Sequence, residues 1–170
     1  MWVKKAEGWV LDMVHDRSDY TNGYDAIDEA FRNKATGVFL SEEIIHESLA
    51  ASFPNIETVV VNVRGMELHL AALADLKIKQ LKVTGNARVI SGEFRETLDS
   101  LIIDGCHWLN QVSASVATLK KISVKECWGL PGIPEQWKGV EVDGVESLHL
   151  DILNKKELRI EYWSNDKEST

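Results

Sequence analysis

The stretch LDSLIIDGCHWLNQV, residues 98–112, is followed by a near copy of itself, LKKISVKECWGLPGI, residues 119–133. Leu98, Leu101, Ile103 and Cys106 in the first match Leu119, Ile122, Val124 and Cys127 in the second. In an aliphatic–x–aliphatic unit the side-chain period is two, so both aliphatics face one way and the residue between them the other. Each unit therefore predicts a short strand with one buried face. One such strand is not stable alone, but parallel copies stacked at ~4.8 Å bury a continuous core. The connections of about a dozen residues suit parallel crossovers better than hairpins.

The frame extends in both directions. Ile78, Leu81, Val83 and Asn86 fit it upstream, and Ile56, Val59 and Val61 fit it before them. The unit starts Ile56, Ile78, Leu98 and Leu119 follow one another at nearly equal steps. Downstream, Trp137, Val140 and Val142, then Val145, Leu148 and Leu150, then Lys155, Leu158 and Ile160 fit with irregular spacing. The pattern resembles the leucine-rich repeat, L-x-x-L-x-L-x-x-(N/C)-x-L, over roughly 56–163. The resemblance implies that Asn86, Cys106 and Cys127 point inward and satisfy backbone groups in the turns. Leu109 and Leu130 stand one step beyond the strict consensus.

Two cysteines invite other readings. A zinc site needs more ligands, and no C-x-x-C or paired-histidine spacing is present. A catalytic cysteine needs a base, and His107, adjacent in sequence to Cys106, would face away in a strand. The ladder accounts for both cysteines and their spacing.

Residues 1–55 show no repeat. GWVLDMVHDR, 8–17, reads as a strand, and NGYDAIDEAFRNKA, 22–35, as a helix with Asn22 as its cap. GVFL, 37–40, reads as a strand, and SEEIIHESLAAS, 41–52, as a helix capped by Ser41 and stopped by Pro54. This region is expected to shield the first repeat. The expected fold is thus α/β. It is a short, irregular leucine-rich-repeat-like solenoid with parallel strands and an α/β N-terminal cap. The chain reads as one domain over 1–170, with the cap at 1–55, repeats at 56–163 and a flexible polar tail at 164–170.

The formal net charge is −8. Acids outnumber bases ten to five in 1–55 and eight to four in 141–170, while 56–140 is nearly balanced at nine to ten. Such a chain is a poor ligand for nucleic acid or anionic membrane and a good one for a basic protein. MWVKKAEGWVLDMVHD does not read as a signal peptide, because Asp12 breaks its apolar run. No apolar segment reaches the ~18 residues that span a membrane. The expected location is the cytoplasm.

No phosphate-binding glycine loop or hydrolase motif appears, and no cofactor, metal or catalytic residue is expected. His15 and Asp16, in a polar cluster with Arg17 and Asp19, are the one acid–base alternative, for a hydrolytic enzyme.

A ladder would present two outward columns. One holds Val60, Lys82, Ile102, Ser123, Glu141, His149 and Arg159; the other holds Asn62, Thr84, Asp104, Lys125, Asp143, Asp151 and Glu161. The second turns acidic toward its end. Of six tryptophans, Trp128 and Trp137 are expected in the core, while Trp108 and Trp163 are open between core and surface. The expected partner-facing residues are Lys82, Ile102, Asp104, Trp108, Lys125, Glu141, Asp143, His149, Asp151 and Glu161. The family binds proteins, so the expectation is an immunity or inhibitor protein that blocks the active site of a basic, nuclease-type toxin. A scaffolding or adaptor module is the alternative.

Overall fold

Val38, Val59, Leu81, Leu101, Ile122 and Val142 lie side by side across six strands, each the direct parallel partner of the next. The computed structural model describes residues 2–5, 8–16, 18–73, 75–130 and 134–143. Within them run β1 (Trp2–Lys5), β2 (Gly8–Asp12), α1 (Glu29–Lys34), β3 (Gly37–Ser41), α2 (Leu49–Ser52) and β4 (Thr58–Val63). There follow β5 (Glu67–His69), β6 (Gln80–Gly85), β7 (Val89–Ser91), β8 (Glu93–Asp104), β9 (Gln111–Val112), β10 (Ser115–Lys125) and β11 (Glu141–Asp143). Single 3-10 turns occupy Glu42–Ile44, Leu70–Leu73 and Glu135–Trp137.

The result is a mixed α/β structure with few, short helices. Its main sheet has the order β1-β2-β3-β4-β6-β8-β10-β11 among the described residues. All its pairings are parallel except β1 with β2. β5, β7 and β9 make a second, parallel three-stranded sheet, which the sequence pattern did not announce.

Alternation places the core. Leu81 and Val83, Leu101 and Ile103, and Ile122 and Val124 are essentially inaccessible. They pack with Leu68, Leu70, Leu73, Ile90 and Leu109 from the connections and second sheet, and with Phe94 near the start of β8. Each fully buried Val, Leu or Ile contributes ~1.5–3 kcal/mol. Strands β3 and β4 are buried on both faces. On the far side Val10, Phe39 and Val60 form a second small cluster. This is why TVVVNV reads as a continuous run rather than an alternation.

The strand expected at 37–40 is β3, which lies beside β4 in register, with Val38 and Leu40 doing what Val59 and Val61 do next door. Other expectations in residues 1–55 need correction. The strand expected over 8–17 ends at Asp12. There the carboxylate Oδ1 accepts the amides of Val14 at 2.8 Å and His15 at 3.1 Å and turns the chain.

The helix expected over 22–35 is confined to Glu29–Lys34, and Asn22 caps nothing. Gly23, at φ 127°, and turns at Tyr20 and Tyr24 use the preceding backbone to seat two buried tyrosine rings. The helix expected over 41–52 is split. Ser41 belongs to β3, and the Tyr24 hydroxyl donates to Ile44 O at 2.7 Å and accepts from His46 N at 2.9 Å. Those two bonds take backbone groups that a continuous helix would need. The units at 145–150 and 155–160, and the tail at 164–170, lie outside the described residues.

Candidate interaction surface

The register of the sheet decides which outward residues meet. Lys82 stands beside Ile102, and Ile102 beside Ser123. Asp104 stands beside Lys125, and Lys82 Nζ approaches Asp104 Oδ2 to 3.6 Å. Asp104 is therefore flanked by two lysines; the described part of the second column holds Asp104, Lys125 and Asp143 beside the uncharged Asn62 and Thr84. Ser123, expected to face outward, is buried. β11 is shifted by two residues from the expected frame. Asp143 pairs with Ser123, and Glu141 with Lys121, rather than with Lys125 and Ser123. His149, Asp151, Arg159, Glu161 and Trp163 lie outside the described residues.

The turns that follow β8 and β10 repeat one another closely. Leu109 N donates to Cys106 O at 3.0 Å, and Leu130 N to Cys127 O at 3.1 Å, so each cysteine opens a four-residue turn. Both thiols are buried. Cys106 Sγ donates to Val83 O at 3.8 Å, and Cys127 Sγ to Lys125 O at 3.3 Å and Ile103 O at 3.8 Å. Burial pushes the Cys106 thiol up to about 12 and the Cys127 thiol up to about 11. Both are neutral at pH 7 and serve as small buried donors, as expected. The third supposed rung is different: Asn86 is exposed, and its neighbour Ala87 is the buried residue.

The tips of these two turns carry exposed aromatic rings beside the sheet. Trp108 is 68% exposed and Trp128 47%, so Trp128 is not the core residue expected, while Trp137, 2% exposed, is. The His107 ring stacks flat on Trp128, with centroids 4.6 Å apart and planes at 9°. His107 Nε2 lies 3.5 Å from Glu126 Oε1. Gly129 N donates to His107 O at 3.2 Å and ties one tip to the other. Of this group only Trp108 was expected to face a partner. The signal that points to the rest is positional: Gly85, Gly105 and Glu126 each follow the second core aliphatic by two residues.

His15 is held by Asp12, not by Asp16. Its Nδ1 lies 2.8 Å from Asp12 Oδ2, and its ring remains largely exposed. Burial opposes ionisation of Asp12. The hydrogen bonds from the His15 ring and the amides of Val14 and His15 outweigh it and hold the carboxyl below its ordinary value. Asp16 instead accepts from Ser18 N at 3.0 Å and from the Tyr20 hydroxyl, which burial and Asp16 push up to about 12. The Asp12–His15 pair holds a largely exposed imidazole just past the end of β2. Arg17 lies outside the described residues.

Among the described residues no helix is long and apolar enough to cross a membrane, and no three His, Cys, Asp or Glu side chains converge to hold a metal. Comparison with known proteins finds no matching family model, no matching curated protein and no matching solved structure.

Proposed function

We propose that this chain is a non-enzymatic protein-binding module. It is built as a short leucine-rich-repeat-like coil and acts in the cytoplasm as an immunity or inhibitor protein. Its partner is a basic, nuclease-type toxin whose active site it blocks. The coil is supported by parallel strands that recur at nearly equal steps along the chain, each followed by a turn. The observation that carries protein binding is the pair of exposed tryptophans on hydrogen-bonded turns. Large rings held in water on a fixed backbone lose little entropy when a partner covers them. The charge of −8 supports a basic partner, because nucleases carry cationic phosphate-binding surfaces.

A scaffolding role is the second reading. It is favoured by Asp104 lying between Lys82 and Lys125, which leaves that part of the sheet face near neutrality. The test is affinity capture from the native host, titration of the captured partner at low and high salt, and growth on co-expression. The inhibitor reading expects a basic partner, salt-sensitive binding and protection from growth arrest. A neutral or acidic partner with salt-insensitive binding and no protection would favour the scaffold.

A further inference from the structure

Gly85, Gly105 and Glu126 occupy the same place in three successive turns, and their φ angles are 95°, 77° and 52°. Glycine adopts such angles freely, whereas a side chain there crowds its own backbone. Among the described residues Glu126 is the one non-glycine residue with positive φ. Two turns relieve the strain with glycine and the third keeps a carboxylate in its place. A strained residue of this kind points to a role outside folding.

The surroundings of Glu126 say what that role is. Its side chain is 57% exposed and its Oε1 reaches His107 Nε2 at 3.5 Å. His107 backs one face of Trp128. Trp108 projects from the next position of the same turn, and the matching position one turn on is Gly129. That glycine lets the two turns approach closely, since a Cβ there would meet Leu109 O at 2.8 Å. Two indoles, an imidazole and a carboxylate thus stand on two turns tied to each other. Indole faces are electron-rich and attract cations. Elsewhere in the chain Lys4 Nζ already sits 5.6 Å over the Trp9 ring.

The geometry points to this edge as a docking surface for an arginine or lysine side chain of a protein partner, received by the indoles of Trp108 and Trp128 and by Glu126. The assignment rests on the protein-binding reading above and adds where the partner docks and through what chemistry. The net charge of −8 favours approach of such a partner.

The test uses the indole N–H signals of Trp108 and Trp128 in heteronuclear NMR spectra, assigned with W108F and W128F. Acetyl-Gly-Arg-Gly-amide is added at matched ionic strength, then its lysine, leucine and glutamate analogues, then a single-stranded oligothymidylate. The arginine and lysine peptides are expected to bind roughly two- to fivefold tighter than the leucine peptide, the preference set by exposed cation–π contact. E126Q is expected to reduce that preference and leave both indole signals folded in appearance. Equal response to leucine and arginine overturns the cation; response to the oligonucleotide alone overturns the protein partner; no response overturns the site. With a captured partner in hand, W108A is expected to weaken binding roughly tenfold. Unchanged affinity in both W108A and W128A would move docking elsewhere while protein binding stands. Failure to capture any partner would count against that wider reading, and the peptide titration would still judge the edge.

Discussion

Replacing Glu126 with glycine is expected to stabilise the protein. A left-handed backbone costs an L-residue ~1–2 kcal/mol, and Glu126 adopts one at φ 52°. Glycine escapes that cost but returns ~0.5–1 kcal/mol through the greater freedom of its unfolded chain. The lost contact with His107 is small: at 3.5 Å, with both side chains about half exposed, the pair is screened and contributes ~0.2–0.5 kcal/mol. The net expectation is a gain of roughly 0.5 kcal/mol, or ~1–2 °C in Tm for a chain of this size. E126A keeps the strain and loses the contact, so it should melt below the wild type. The measurement is urea unfolding followed by circular dichroism, with the slope of free energy against urea unchanged. If E126G melts at or below E126A, the backbone there is not strained and the carboxylate's place carries no message. Gly85 is the mirror case: at φ 95°, with a Cβ 2.5 Å from Val63 O, G85A should lose ~2 kcal/mol or more.

Leu101→Ala opens a cavity in the middle of the ladder and should cost ~2–5 kcal/mol, read as a lower urea midpoint. Both thiols, buried and pushed up to about 12 and about 11, should resist an aromatic disulfide reagent in the native state and react together in denaturant; fast reaction of either in the folded protein would contradict the turn geometry. Asp12 has a carboxyl held lower when folded than when unfolded, so its contribution is present above the ordinary carboxylate value and fades as pH falls through the folded one. D12N should therefore lower stability at neutral pH, and its deficit should shrink below about pH 4. A deficit that stays constant into acid would show that the ionised form of Asp12 does not matter.

The strand ladder was legible because it depends on a pattern of period two that returns at nearly equal steps, and burial follows such a pattern directly. Leu81, Leu101 and Ile122 could be aligned from sequence for that reason. The N-terminal helices were misjudged because the contacts that break them are tertiary. Nothing local in SEEIIHESLAAS announces that the Tyr24 hydroxyl will claim Ile44 O and His46 N. β11 was misplaced by two residues because Val140 and Val142 satisfy either frame. Trp108 could be named as an exposed candidate, but Trp128 could not: side-chain direction in a tight turn depends on backbone angles that no hydrophobic pattern encodes. The pairing of His15 with Asp12 rather than Asp16 was hidden for the same reason, since it follows from where β2 stops.

The turns differ in length, and the difference is confined. From Val83 to Val89 is six residues and from Ile103 to Gln111 is eight, yet Val83 still pairs with Ile103 and Val89 with Gln111. The two additional residues change nothing on either side of them; they simply bring His107 and Trp108 out to the rim. A chain built this way has a place where residues can be added, removed or exchanged without renegotiating the core. Recognition and stability are then written in separate parts of the sequence, and related chains could diverge in what they bind while keeping the same interior.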